Sequence, residues 1–125
     1  MIAGIGIDIV DVLRLRRILE RQGDRFTRRV FTSGEQSYCR GHRDPAPYFA
    51  ARFAAKEALF KALGTGWAEG VTWLDVEVRR DNHGAPKIAL TGRAGELSRA
   101  LGTQAVHLSL SHSEGSAVAL VILEK

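Results

Sequence analysis

The N-terminal segment alternates large apolar residues with small ones. Residues 2–10 read IAGIGIDIV, and this period of two predicts a strand with isoleucines along one face. The opposite face carries Gly4, Gly6 and then Asp8. Glycine weakens the interior of a strand, so its presence indicates close approach by another segment or by a ligand. For the two glycines, tight packing against another segment is the favoured interpretation.

Two helices are predicted after this strand. Asp11 is a suitable N-cap for a helix over residues 12–22, and Gly23 would end that helix. Apolar residues at three- and four-residue spacing form one stripe along it. Thr32 and Glu35 have the spacing of a capping box, which predicts a short helix ending near residue 40.

The longest predicted helix covers residues 46–63 and ends at Gly64. One face is aromatic and leucine-rich and another consists of alanines, which is typical of a largely buried helix. Four charged residues nevertheless lie on it: Arg52, Lys56, Glu57 and Lys61. Charges are seldom buried without partners. Either Glu57 and Lys61 pair with each other, or the charges line a functional site, and their number favours the site.

The C-terminal half is predicted to be mainly strands. Apolar patterns predict strands near residues 74–80, 87–90, 106–111 and 117–123, and a helix over residues 92–101. The third of these strands would place His107 and Ser109 on a polar face. The order of strand, helices and then mainly strands predicts an α+β domain with an antiparallel sheet. We expect one domain over residues 1–125.

Composition agrees with a globular chain. Of 125 residues, 45% are hydrophobic and 26% are charged, which is the balance of an ordinary folded domain. Cys39 is the one cysteine, so no internal disulfide can form, and this fits a reducing compartment. No stretch is apolar for the ~18 residues of a membrane span. Asp8 interrupts the apolar N-terminal segment, which is predicted to be a strand and not a signal peptide. We therefore expect a cytosolic location.

The net charge of +4 favours acidic partners. Basic residues concentrate on and after the first helix, at Arg14, Arg17, Arg21, Arg25 and Arg28. Few acidic residues lie nearby to pair with them. They are either a solvated helix face or a docking surface for an acidic partner. A nucleic-acid-binding module is the alternative function, although no recognised motif or stacking platform accompanies the arginines.

Three residues suggest chemistry. Asp8 and Glu57 are hard carboxylate ligands of the kind that Mg²⁺ uses while it takes further ligands from substrate phosphates. Lys61 lies one helical turn after Glu57 and could contact the same phosphates. Spacing alone does not bring Asp8 and Glu57 together, because one is on a strand and the other on a distant helix.

Three sequence blocks carry a specific resemblance. They are GIGIDIVDV, RFAAKEALFKALGTG and VHLSLSHSEGSAVALVI, in this order along nearly the whole chain. Together they resemble the holo-acyl-carrier-protein synthase family of small 4′-phosphopantetheinyl transferases. The resemblance implies Mg²⁺-dependent transfer of 4′-phosphopantetheine from coenzyme A to a serine of apo-acyl carrier protein. It also implies release of adenosine 3′,5′-bisphosphate and a place in fatty acid biosynthesis.

The resemblance assigns roles to individual residues. Asp8 and Glu57 match the family's metal ligands, and Lys61 matches the lysine that contacts the phosphates and assists the leaving group. The base for the serine stays open between a metal-bound water and a carboxylate, with Glu57 as the candidate. Further positions match the coenzyme A groove: Arg52, Lys56, Gly64, Thr65, Gly66, His107 and Ser109.

The resemblance also implies an assembly. Family members of this length are trimers with sites at the subunit interfaces, which suits a strand face of glycines and a helix face of alanines. The arginines of the first helix match the family's docking helix for the acidic carrier protein. Attraction between opposite charges should raise the association rate and weaken with salt.

Overall fold

The computed structural model describes residues 1–64 and 68–125, which contain five strands and five α-helices. In chain order these are β1 (Ile2–Asp11), α1 (Val12–Gln22), α2 (Asp24–Val30), α3 (Ser33–Arg40), α4 (Ala46–Leu63), β2 (Val76–Arg80), β3 (Pro86–Leu90), α5 (Gly92–Ala100), β4 (Ala105–His112) and β5 (Ser116–Glu124). Short 3₁₀ turns lie at Ala68–Gly70 and Trp73–Asp75.

The strands form two antiparallel sheets. In the larger sheet β5 lies between β1 and β4, and in the smaller one β2 pairs with β3. The predicted α+β class with antiparallel pairing is confirmed. The division into two sheets was not predicted, because strand pairing joins segments that are distant along the chain.

Helix α4 packs across one face of the larger sheet, directly on the glycines of β1. A Cβ atom on Gly6 would lie 1.9 Å from the carbonyl oxygen of Ala58, and one on Gly4 would lie 2.1 Å from that of Ala62. Only glycine therefore fits at these positions, and the tight-packing interpretation is confirmed. Most side chains of α4 are buried, including its alanines and Leu59.

The other face of the larger sheet is open in the single chain and is apolar along β1. Ile5, Ile7 and Ile9 are 60%, 60% and 67% exposed, respectively. The register pairs Ile5 with Ile122 and Ile122 with His107, so His107 lies on this same outer face.

Local sequence signals located most of the helix ends. Asp11 accepts a hydrogen bond from the Leu13 backbone N–H and caps α1, and Gly64 ends α4 in the left-handed conformation with φ of 78°. Helix α2 was not predicted, because its seven residues carry too few apolar side chains to show a helical pattern. Among the described residues, no helix has the length and apolarity needed to cross a membrane.

Candidate functional site

The packing of β1 on α4 sets Asp8 near Glu57. Along β1 two residues advance about 6.6 Å, which matches four residues along a helix, about 6 Å. Because Gly4 and Gly6 lie against Ala62 and Ala58, the next even residue, Asp8, lies against the preceding turn of α4. Glu57 projects from that turn, and the charge of Asp8 affects its carboxyl group directly.

Lys61 completes the cluster, with Asp8 as its partner. Its Nζ donates to Oδ1 of Asp8 and to the carbonyl oxygen of Ile7, each at 3.0 Å. Lys61 therefore forms its ion pair with Asp8 rather than with Glu57, although its positive charge still lowers the pKa of Glu57. The Ile7 carbonyl was not foreseen as part of the site, because backbone atoms leave no sequence signal.

The electrostatics of this cluster suit a cation. Burial raises the pKa of Glu57 above its ordinary value, the negative charge of Asp8 raises it further, and Lys61 lowers it. Two ionised carboxylates that act on each other in this way repel, and a cation between them removes the repulsion. No cluster of three or more His, Cys, Asp or Glu residues suited to a metal occurs in the described chain. A two-carboxylate site fits Mg²⁺, which usually keeps several waters and takes other ligands from phosphates.

A cavity of about 290 Å³ opens beside the two carboxylates. Its polar lining includes Asp8, Glu57 and Arg14, and Phe53 contributes an apolar wall. Arg14 belongs to the predicted docking helix, so the partner surface and the carboxylates border the same cavity. The sequence did not single out Phe53, which read as one of several core aromatics.

Arg52 lies elsewhere on α4. Its guanidinium stacks on the Tyr38 ring at 4.1 Å from the centroid and borders a second cavity of about 220 Å³ together with Arg80. The two cavities have no lining residue in common within the described ranges. The Arg52 Nε atom is buried and has no hydrogen-bond partner among the described residues. Arg52 is therefore not brought to Asp8 and Glu57 within one chain.

Lys56 differs most from its predicted place in a coenzyme A groove. Its side chain is 0% exposed, and its ammonium contacts Glu35 Oε1 at 2.7 Å and the carbonyl oxygens of Trp73 and Val76 at 3.0 and 2.6 Å. Three acceptors satisfy the three donors of an ammonium. In the single chain, Lys56 therefore binds protein groups and leaves no donor for a ligand.

The other predicted groove residues are spread over the molecule. His107 and Ser109 lie on the outer face of the larger sheet, opposite the face that carries Asp8, and His107 Nε2 is 2.9 Å from Glu124 Oε1. Gly64 ends α4. Thr65 and Gly66 lie outside the described residues. One chain therefore does not gather all the predicted groove residues around the two carboxylates.

The arginines of α1 and α2 separate into paired and unpaired groups. Arg16 forms two hydrogen bonds with Asp44, at 2.6 and 2.9 Å, and Arg28 lies 3.8 Å from Asp24. Within the described residues, five exposed arginines of α1 and α2 form no ion pair with an acidic side chain: Arg14, Arg17, Arg21, Arg25 and Arg29. The first four are among the predicted docking residues. This distribution leaves four of the five predicted docking residues free for an acidic partner.

Comparison with known proteins agrees with the three sequence blocks. The family model described as the 4′-phosphopantetheinyl transferase superfamily matches residues 4–121. The holo-[acyl-carrier-protein] synthase of Geotalea daltonii is 49% identical over 125 residues, covering 100% of both chains. That of Koribacter versatilis is 50% identical over 124 residues, covering 99% of both.

Solved structures of the same enzyme class share the fold. The Neisseria meningitidis holo-[acyl-carrier-protein] synthase superimposes with a TM-score of 0.91 at 35% identity, covering 100% of both chains. The Helicobacter pylori enzyme, solved in complex with coenzyme A, gives 0.84 at 32% identity and covers 96% of this chain and 99% of that one. The family relationship favours the transferase over the nucleic-acid-binding alternative. The chain therefore belongs to the 4′-phosphopantetheinyl transferase superfamily and, within it, to the holo-[acyl-carrier-protein] synthases.

Proposed function

We propose that this enzyme transfers 4′-phosphopantetheine from coenzyme A to a serine of apo-acyl carrier protein, with Mg²⁺ held by Asp8 and Glu57. The observation that carries the proposal is the cluster of two carboxylates and Lys61 beside a cavity that the docking helix also borders. The pathway served is fatty acid biosynthesis, in the cytosol, with residues 1–125 as one domain.

The reaction breaks one bond of the coenzyme A pyrophosphate. The serine oxygen forms a bond to the phosphorus that carries pantetheine, and the bond from this phosphorus to the bridging oxygen breaks. The bridging oxygen leaves with adenosine 3′,5′-bisphosphate, and the serine proton passes to a base. The carboxylate of Glu57 is one candidate for that base, because it borders the cavity that the docking helix also borders, and a metal-bound water is the other.

The residues of the cluster have separate tasks. Bound Mg²⁺ would supply charge stabilisation at the phosphate oxygens. Asp8 and Glu57 would hold it, because they provide hard oxygen ligands on two rigidly packed elements. Lys61 would stabilise the negative charge that develops on the leaving phosphate. Its exposed, flexible side chain allows the ammonium to reach a ligand in the adjoining space.

Removal of either carboxylate charge tests the proposal. We expect Asp8→Asn and Glu57→Gln to reduce transfer at least 100-fold, the order of loss typical of a catalytic electrostatic group, roughly 10²–10³. Transfer is measured as the gain in mass of an apo-acyl carrier protein incubated with coenzyme A and Mg²⁺. Glu96→Gln removes an exposed charge from a residue that does not line this cavity, and it serves as a control for charge removal. Full activity of the Asp8 or Glu57 variant, or no mass gain with the wild type, would refute the proposal.

The carrier protein would dock on the unpaired arginines of α1 and α2. Arg14, Arg17 and Arg21 are exposed and form no ion pair within the described ranges, and Arg14 also borders the catalytic cavity. Attraction of an acidic partner by such a surface is screened by salt. Stopped-flow binding should therefore show an association rate that falls as ionic strength rises, and an unchanged rate would count against this docking surface.

We further propose a trimer whose sites lie between subunits. The separation of His107 and Arg52 from Asp8 within one chain supports this, because residues from two chains could then form one coenzyme A groove. The open isoleucine face of the larger sheet offers an apolar surface for the contact. Large exposed apolar patches on soluble proteins mark interaction sites.

A further inference from the structure

Lys61 has a partner within the protein that its proposed role in transfer does not use. Its ammonium lies 3.0 Å from Asp8 Oδ1 and 3.0 Å from the carbonyl oxygen of Ile7. Both are hard oxygen atoms of the kind that a divalent cation prefers. The ammonium therefore occupies a position beside the very carboxylate that the metal would need.

The two ends of this ion pair differ in exposure. The side chain of Asp8 is 16% exposed, whereas that of Lys61 is 56% exposed. Asp8 is held by the packing of β1 on α4, because Gly6 leaves no space between its strand and the helix. Lys61 contacts the site only with the tip of a long, flexible side chain. If one partner must move, it is Lys61.

A divalent cation and an ammonium compete for the same carboxylate. At separations of a few ångströms, two cations repel each other by about 1 kcal/mol or more even in water, and more near a protein surface. Metal binding at Asp8 therefore favours departure of the ammonium. The released ammonium is then available to the phosphates that the metal attracts.

We propose that Lys61 is the resident counter-ion of the metal site, which a divalent cation displaces from Asp8 before the lysine can engage substrate phosphate. This inference rests on the proposed assignment of Asp8 and Glu57 to the metal. It adds an order of events: metal first, then the contact between Lys61 and phosphate. It also implies that Lys61 weakens metal binding in the absence of substrate, although it assists the reaction afterwards.

Metal titration without coenzyme A or carrier protein tests this displacement. The probe is MnCl₂ or MgCl₂ alone, titrated by calorimetry into the wild type, Lys61→Met and Arg14→Met at one ionic strength. We expect Lys61→Met to bind the metal roughly two- to five-fold more tightly than the wild type, the range that corresponds to loss of a partly exposed ion pair. Arg14→Met removes an equal charge from the same cavity without removing a partner of Asp8, so its affinity should change less.

A second readout follows Lys61 in the wild type. We expect the NMR signals of its ε-methylene and ζ-nitrogen to shift on addition of metal, because the ammonium leaves Asp8. Equal or weaker metal affinity in Lys61→Met would overturn the proposal, as would equal gains in Lys61→Met and Arg14→Met or an unchanged Lys61 signal. Failure of all three proteins to bind metal would overturn both this inference and the metal assignment, whereas normal binding without a Lys61 effect would overturn this inference alone.

Discussion

At the scale of residues, Lys56 and Glu57 are neighbours with opposite environments. Glu57 borders an open cavity, whereas Lys56 is buried and paired with Glu35. Glu35 also accepts hydrogen bonds from the backbone N–H groups of Thr32 and Val78, at 2.9 and 2.7 Å. The pair thus joins α3, α4 and β2. Its contribution is structural, and a buried charge left without its partner is strongly destabilising.

Loss of this buried pair should be visible in the stability of the protein. We expect Lys56→Met to lower the free energy of unfolding by about 3–5 kcal/mol, because Glu35 would keep a buried charge without its partner. Urea unfolding measures the difference. Arg93→Met removes an exposed charge near Glu69 and Glu96 and should change the free energy by less than about 1 kcal/mol. A similar small effect in Lys56→Met would show that its ammonium is not buried in solution.

At the scale of elements, the contact between β1 and α4 creates the site. The backbone of the helix approaches the strand so closely that the carbonyl oxygen of Ala58 occupies the space of a Gly6 side chain. Because the two elements advance at matching rates, this contact also decides which turn of α4 faces Asp8. The glycines of β1 therefore act through packing, because they allow the close approach of β1 to α4 that sets Asp8 near Glu57.

Substitution of Gly6 should disturb stability and activity together. We expect Gly6→Ala to cost at least about 1–3 kcal/mol, the range for overpacking, because its Cβ would meet the backbone of Ala58 at 1.9 Å. It should also reduce transfer, since Glu57 would move away from Asp8. Gly115→Ala is the matched control, because a Cβ there meets no atom within 4 Å. Stability is measured by thermal unfolding and activity by the transfer assay. Equal stability and equal activity of the two variants would show that the site does not depend on the close contact at Gly6.

At the scale of the whole molecule, two features have no explanation within a single chain. One is the outer face of the larger sheet, where Ile5, Ile7 and Ile9 are exposed. The other is the dispersal of predicted groove residues, with His107 on this same outer face and Arg52 at a separate cavity. An assembly that buries the isoleucines would account for both, because it would bring residues of one chain to the cavity of another.

A charge on the outer sheet face should dissociate such an assembly. We expect Ile7→Lys to sediment as a monomer and to retain its secondary structure, because Ile7 is 60% exposed in the single chain. Its transfer activity should fall if the groove needs two chains. Leu101→Lys places the same charge at an exposed leucine after α5, outside the larger sheet, and should leave the assembly intact. Analytical ultracentrifugation measures the oligomeric state of each protein. A wild-type monomer at micromolar concentration would exclude the trimer.

The helix ends, the close packing of β1 and the enzyme class could be predicted from the sequence alone. The capping residues Asp11 and Thr32 and the helix-ending Gly64 located helices correctly, because these signals act within one turn of the chain. The glycine pattern of β1 correctly predicted close packing, because a strand face without side chains allows another element to approach the backbone, whichever element that is. The three sequence blocks identified the enzyme class, and the comparisons confirmed it.

Only the tertiary structure decided which charges meet. Lys61 pairs with Asp8, 53 positions away, and Lys56 pairs with Glu35, 21 positions away. Such partners are chosen by the packing of whole elements, in which the register of β1 on α4 and of α3 beside α4 places side chains from distant segments within 3 Å. A helical pattern shows that a charge must be satisfied, but not by which residue. For this reason the residues of the proposed site, Asp8, Glu57 and Lys61, could be named from the sequence, while the buried partner of Lys56 and the partner of Lys61 could not.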